Sequence, residues 1–450
     1  MPAAINRRKF LGLLGTTGAL ALGSATGLTA CTGKTGADSA GSKSEEERAM
    51  LWEPHKAADR IVVVSDLHFG IDDRFAQNVD NRALFVEFLE RLVEVGDVRE
   101  LVIAGDFLDE WIVPLSYPAY NDSDAFYRQC IVNNQVVFDA LNATIAAGVK
   151  VVYIPGNHDM LLTAPVLAEA MPQLVQAREG DGMGRYVTGD RGEIVIEHCH
   201  RYDAYSAPDM VSNRDLAGNG DTLLPPGYFY ARLGTEWVAE GQPSNVVDYP
   251  KDVTAPDPAD IDQSGAYLHY MLMTSVLLSE YTPNVGFDEK IFEMHIAGLE
   301  GTYSEYDLCP RMMDDGTISA PTLYRNFQRS WDERQTANLV NVKTSFIEAA
   351  KGISQAGYSR VQAGRQYLDD ANGSIEVVVF GHTHKPDFHD FGGGRLYVNS
   401  GTWIDENLDA DVTRTFAVVT TGAAGADAVA LYTYEEDGQI TDITQDRTDA

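Results

Sequence analysis

The chain has 450 residues, 34 of them basic and 67 acidic, with a formal net charge of −33 and 44% hydrophobic content. That apolar content excludes a disordered chain, and so acidic a surface works against holding nucleic acid or anionic lipid by charge, although a saline habitat would account for the same acidity. Four cysteines at unrelated spacings exclude a disulfide framework.

Residues 1–30 read as an address. Asn6-Arg7-Arg8-Lys9-Phe10-Leu11 is a twin-arginine pattern, Leu11 to Leu22 is an apolar region too short to span a bilayer easily, and Leu28-Thr29-Ala30-Cys31 has the form of a lipoprotein cleavage box. The expectation is export by the twin-arginine machinery and lipid attachment at Cys31. That would leave the protein anchored on the outer side of the cytoplasmic membrane or in the periplasm. An uncleaved anchor helix or a plain signal peptide are the alternatives. Residues 31–58, rich in Gly, Ser, Thr and charge over most of their length, read as a flexible tether.

Residues 59–203 alternate strand and helix. Ile61 to Val64 is a short apolar run suited to a strand buried on both faces, and it leads into Ser65-Asp66-Leu67-His68. On an extended chain Asp66 and His68, two apart, face one point. Asn81 to Val95 then carries Leu84, Phe85, Phe88, Leu89 and Leu92 on one helical face with Gly96 as a stop. Leu101 to Ala104 leads into Gly105-Asp106-Phe107-Leu108-Asp109, Asp124 to Ala147 reads as the next helix, and Val151 to Ile154 leads into Pro155-Gly156-Asn157-His158-Asp159. Tyr186 to Thr188 and Glu193 to Glu197 read as a hairpin feeding His198-Cys199-His200. If that strand continued, His198 and His200 would share a face and Cys199 would point away.

Residues 204–374 break this rhythm and read as an inserted cap or side lobe, with helix-like segments at Gly265 to Tyr281, Lys290 to Leu299 and Thr336 to Ala350. Tyr228-Phe229-Tyr230 with Met271, Met273 and Leu277 could line a channel for a greasy substrate, but apolar stripes at helical spacing are more often a lobe's own core. Residues 375–437 return to the main body: Val377 to Phe380 leads into Gly381-His382-Thr383-His384, and Arg395 to Asn399 leads into Ser400-Gly401-Thr402, a plain turn or a source of backbone donors. Residues 438–450 read as a polar, fraying tail.

Strand ends in an open α/β sheet deliver their loops to one place. Asp, Asn and His donors without thiolate suit manganese, iron or zinc, and together they read as a two-metal centre. These blocks resemble, in order, those of the calcineurin-like metallophosphoesterases. The resemblance implies an α/β fold, a four-layer αββα sandwich, here with a large inserted mainly helical cap. It implies that Asp66, His68 and His384 hold one divalent ion and Asn157, His198 and His382 the other, with Asp106 bridging. His198 is then the ligand rather than His200, although relatives usually have Gly where Cys199 stands. Two ions of this kind can share a water of lowered pKa for in-line attack on phosphorus. His158 is not needed to complete either ion and is expected either to protonate the leaving oxygen or to stabilise the phosphorane-like charge, while Asp109 and Asp159 would orient histidines or the loops. The expected substrate is a small-molecule or lipid phosphoester, monoester or diester. A protein-binding module on the same fold, or a metallohydrolase of another bond such as an amide, are the competing readings.

Overall fold

The computed structural model describes residues 50–115, 117, 122–217, 222–241, 254–272, 288–319, 321–352, 357–370, 373–407, 410–422 and 427–448. The leader with Arg7, Arg8 and Cys31 lies outside the described residues, as do Met273 and Leu277. None of the described helices is long and apolar enough to cross a membrane.

Five strands deliver the chemistry: β1 (Arg60–Val64), β2 (Val98–Ala104), β3 (Lys150–Ile154), β4 (Ile194–Glu197) and β5 (Val377–Phe380). β1, β2 and β3 run parallel in a seven-stranded sheet, which Thr415–Thr420 extends antiparallel beside β1. β4 and β5 run parallel in a five-stranded sheet.

The apolar runs are continuous because both faces of each strand are covered. Ile61 and Val63 of β1, Val102 of β2 and Val152 of β3 pack against Ile194, Ile196, Val377 and Val379 of the other sheet. The alternate residues Val62, Val64, Leu101 and Ile103 face the helices Arg82–Val95 and Gln135–Ala146 through Phe85, Phe88, Leu89, Phe138 and Leu141. On the far side, Val195, Val378 and Phe380 pack with Ala363 and Leu368 of the segment Tyr358–Leu368. Helix, sheet, sheet and helix make the four layers. Although Tyr358–Leu368 falls in the stretch read from sequence as cap, it serves as the outermost layer.

Several local readings change. Gly96 ends its helix in the left-handed conformation, as its position suggests. The long helix expected to run to Ala147 is instead two, Ser123–Asn133 and Gln135–Ala146, broken at Asn134, whose side-chain amide donates to the Cys130 and Gly70 carbonyls. Lys290 to Leu299 is not a helix but a hairpin, Phe292–Ile296 with Leu299–Tyr303, turning at Ala297 and Gly298, both with positive φ. The period-two alternation of Phe292 and Met294 with Glu293 and His295 carried that signal. Thr336 to Ala350 is interrupted, with helices Trp331–Ala337 and Phe346–Gly352. Among the described residues the polar tail is packed: Ile440–Asp442 pairs with Ala428–Tyr434 at the sheet edge, and Ile443 is buried. In the stretch read as tether, Leu51 is buried and the Trp52 indole donates to Asp97.

The lobe has its own core. Tyr228, Phe229 and Tyr230 of helix Pro226–Ala239 are buried with Phe327, Trp331 and Phe346, and Met271 packs at the margin, so these aromatics are core and not channel lining. Inside the lobe Glu305 is 0% exposed and neither carboxylate oxygen has a hydrogen-bond partner among the described residues. Burial pushes its carboxyl from 4.5 up to about 8. A carboxyl raised on folding adds stability below its unfolded value and loses it as pH climbs through the folded one. Stability should therefore fall as pH rises from about 5 towards 8. Glu305→Met is expected to flatten this part of the denaturation-midpoint profile; an unchanged profile would place the titration elsewhere.

Candidate metal centre

Each delivering strand stops just before its polar residues. β1 ends at Val64, and Asp66 and His68 follow with φ of 53° and 48°. They therefore reach one place through a left-handed loop and not, as the sequence suggested, through strand alternation. Asp106, His382 and His384 also have positive φ, at 51°, 73° and 57°. Such conformations cost a non-glycine residue of order 1–3 kcal/mol and persist only where the surroundings impose them.

Those surroundings are visible. Asp66 Oδ2 accepts from Ser65 Oγ and from the His382 amide at 2.9 Å, joining the first and last loops. The Asp66 carbonyl accepts from Thr402 Oγ1 at 2.8 Å, and the Asn399 amide donates to the Gly381 carbonyl at 2.7 Å. Of the two readings for Asn399 to Thr402, neither a plain turn nor a source of free donors fits: the segment ties the loops that carry Asp66 and His382. Close approach explains the glycines, since a Cβ on Gly105 would collide with the His198 ring and one on Gly156 with the Asp106 carboxylate.

The structure brings seven of the predicted residues together. Asp66, His68, Asp106 and His384 form one group of converging donor atoms, and Asp106, His198 and His382 a second, with Asp106 common to both; His68, Asp109 and His158 form a third, in which Asp109 faces Nδ1 of both rings. His384 Nε2 lies 3.2 Å from Asp66 Oδ1 and 3.0 Å from His68 Nε2. His198 Nε2 lies 3.1 Å from Asp106 Oδ2 and 3.1 Å from Asn157 Oδ1.

The donor set fits cations. His198 Nδ1 is 2.8 Å from the Ala104 carbonyl and so carries the proton, which leaves the Nε2 lone pair facing two oxygens. His68 Nδ1 is 2.7 Å from Asp109, which turns its Nε2 lone pair toward His384. Asp66 Oδ1 is buried with no hydrogen-bond partner among the described residues. Lone pairs converge here without protons between them, a cost that divalent ions remove. At that point the carboxylates draw a proton to the His198 imidazole in place of a cation. Burial opposes charge on His198, yet Asp106 and Asp66 lift its imidazole to about 9. Burial likewise works against the Asp106 carboxylate, but His198, His158 and His68 hold it well below its usual range.

His200 belongs to neither group. The strand ends at Glu197, Cys199 turns with φ of 76°, and His200 opens a short 3-10 turn. The left-handed turn accounts for a glycine preference at this position, which Cys199 meets at some strain. His200 Nε2 faces the Gly182 carbonyl at 3.0 Å, and burial together with His198 and His382 drives its imidazole well below the ordinary value. His198→Ala is therefore expected to weaken metal binding far more than His200→Ala in metal titrations; the reverse ranking would shift the block's register by two.

His158 stands beside the centre. Its amide donates to Asp106 Oδ1 at 2.8 Å and its Nδ1 is 3.0 Å from Asp109 Oδ2. Burial disfavours its charge, but Asp109 and Asp106 raise its imidazole above the ordinary value. Asp109 thus spans His68 and His158. Asp159 accepts from the Gly156 and Phe107 amides at 2.7 and 2.8 Å, which ties the loop after β3 to the loop after β2; burial and Asp106 push its carboxyl up to about 6. Two further neighbours have no signal in sequence spacing. Asp203 Oδ2 lies 3.4 Å from His382 Nε2, and Trp111 stacks on His158 at 4.4 Å.

The family model for calcineurin-like phosphoesterases matches residues 59–386. The comparison with curated proteins gives no match. Among solved structures, a dimetal phosphatase from Danio rerio is 11% identical with a TM-score of 0.34, over 86% of this chain and 99% of that one. The phosphopantetheinyl hydrolase of Mycobacterium tuberculosis is 12% identical with a TM-score of 0.25, over 77% of this chain and 90% of that one.

Proposed function

The chain belongs to the calcineurin-like phosphoesterase family, and on that premise we propose that it hydrolyses a phosphoester at two divalent ions that share Asp106. Asp66, His68 and His384 would hold one ion, and Asn157, His198 and His382 the other. The observation that carries this reading is the pair of donor groups meeting at one carboxylate. When bound, two such ions would supply positive charge for phosphoryl oxygens and lower the pKa of a water for in-line attack. Manganese, iron and zinc all suit this oxygen and nitrogen set.

The remaining steps belong to side chains. Asp109 accepts the hydrogen bond from His158 Nδ1, so Nε2 is the ring atom free to give a proton to the leaving oxygen. Asp109 also fixes the tautomer of His68, and Asp159 holds the Asn157 and Asp106 loops in register. A panel of phosphomonoesters and phosphodiesters, assayed with manganese, iron and zinc, tests the reading. Turnover of at least one class, lost on chelation and restored by metal, is expected. Amide hydrolysis with no phosphoester turnover would overturn it.

The leader supports a place of action outside the cytoplasm, on a small-molecule or lipid phosphoester near the membrane. Fractionation should find wild type in the membrane, Cys31→Ser exported but soluble, and the Arg7→Lys/Arg8→Lys variant inside the cytoplasm. Wild type free in the cytoplasm with its leader intact would contradict this.

A further inference from the structure

We infer that Trp111 is a positioning residue for His158 and that the inserted lobe acts on proton transfer through it. This rests on reading His158 as the acid. The hydrogen bond from Nδ1 to Asp109 fixes one atom of the imidazole and leaves the ring free to tilt about it. Two neighbouring rings remove that freedom. Trp111 lies along one face, with centroids 4.4 Å apart and planes 25° from parallel, and His68 meets the ring at 4.6 Å and 89°. Asp109 Oδ1 accepts from the Trp111 amide at 2.8 Å, so one carboxylate sets both the indole's backbone and the imidazole.

The lobe holds the indole from behind. Trp111 is 1% exposed and belongs to the lobe's core rather than to the core beneath the sheet. Helix Pro226–Ala239 places Gly227 against it, so close that a Cβ there would come within 2.8 Å of indole Cζ3. Tyr228 meets the indole edge-on at 6.3 Å. Arg232 donates to the Tyr228 hydroxyl at 2.9 Å and to the Pro114 carbonyl at 3.0 Å, which clamps the segment that follows Trp111 to the same helix. A ring held on its face, on its edge and at one nitrogen can aim the other nitrogen at one point, and a misplacement of about 1 Å in such a group costs up to a hundredfold in rate.

The test uses the metal-loaded enzyme and aryl phosphate esters of graded phenol acidity, with Trp111→Leu, Trp111→Phe, His158→Ala and the Leu/Ala double variant. Trp111→Leu is expected to lower kcat by roughly ten- to a hundredfold for poor leaving groups, with KM and metal content little changed. The loss should shrink as the phenol becomes more acidic, and it should vanish in the His158→Ala background. Phe, which keeps a stacking face, should recover most of the rate. Tyr228→Phe, which removes the hydroxyl that Arg232 holds beside the indole, should give a weaker form of the same signature and serves should the Leu variant not fold. A loss uniform across leaving groups, or one that persists without His158, would overturn the inference and leave Trp111 as packing alone. If His158→Ala itself leaves the rate unchanged, the underlying assignment of the acid fails, and this inference with it.

Discussion

Asp106→Ala is expected to abolish turnover, by a thousandfold or more, and to leave no more than one ion tightly held. The magnitude follows from position. Asp106 joins the group of Asp66, His68 and His384 to that of His198 and His382, and it lies 3.1 Å from His198 Nε2 and 3.7 Å from His68 Nε2. Its other oxygen accepts from the His158 amide, so the same substitution also frees the loop that carries His158. A thousandfold loss corresponds to about 4 kcal/mol of transition-state stabilisation, within what a pair of ions acting on a phosphoryl group supplies. Elemental analysis beside an activity assay checks it: two retained ions with near-normal turnover would remove Asp106 from the bridging role.

His158→Ala should separate chemistry from metal binding. Metal content should stay near that of the wild type while the maximal rate falls by on the order of a hundredfold or more, the scale of a positioned acid. Substrates with a good leaving group need no proton at the departing oxygen, so for them the loss should be small. Loss of metal on this substitution would make His158 a ligand instead.

Most of the centre could be read from sequence because each apolar strand announces the polar residues that follow it. Ile61 to Val64 and Val377 to Phe380 are buried on both faces, and such runs have few alternatives to a central strand. What periodicity cannot carry is the backbone beyond the strand. Asp66, His68, His382 and His384 all take left-handed turns, and at Asp66 and His382 the contacts that accompany them come from distant segments, the His382 amide and Thr402 Oγ1 on Asp66 and Asn399 on the Gly381 carbonyl. Asp203 and Trp111 were hidden for a related reason. Asp203 meets His382 across 179 positions of chain, and Trp111 stacks on His158 across 47. The hairpin at Phe292–Ile296 was missed although its alternation was present, because five residues also hold one turn and a half of helix.

The most direct measurement is a titration of the metal-free protein with manganese, followed by electron paramagnetic resonance. The two-ion account predicts saturation at two equivalents with the spectrum of a magnetically coupled pair, and loss of that coupling in Asp106→Ala. Saturation at one equivalent, or two ions with no coupling between them, would contradict it.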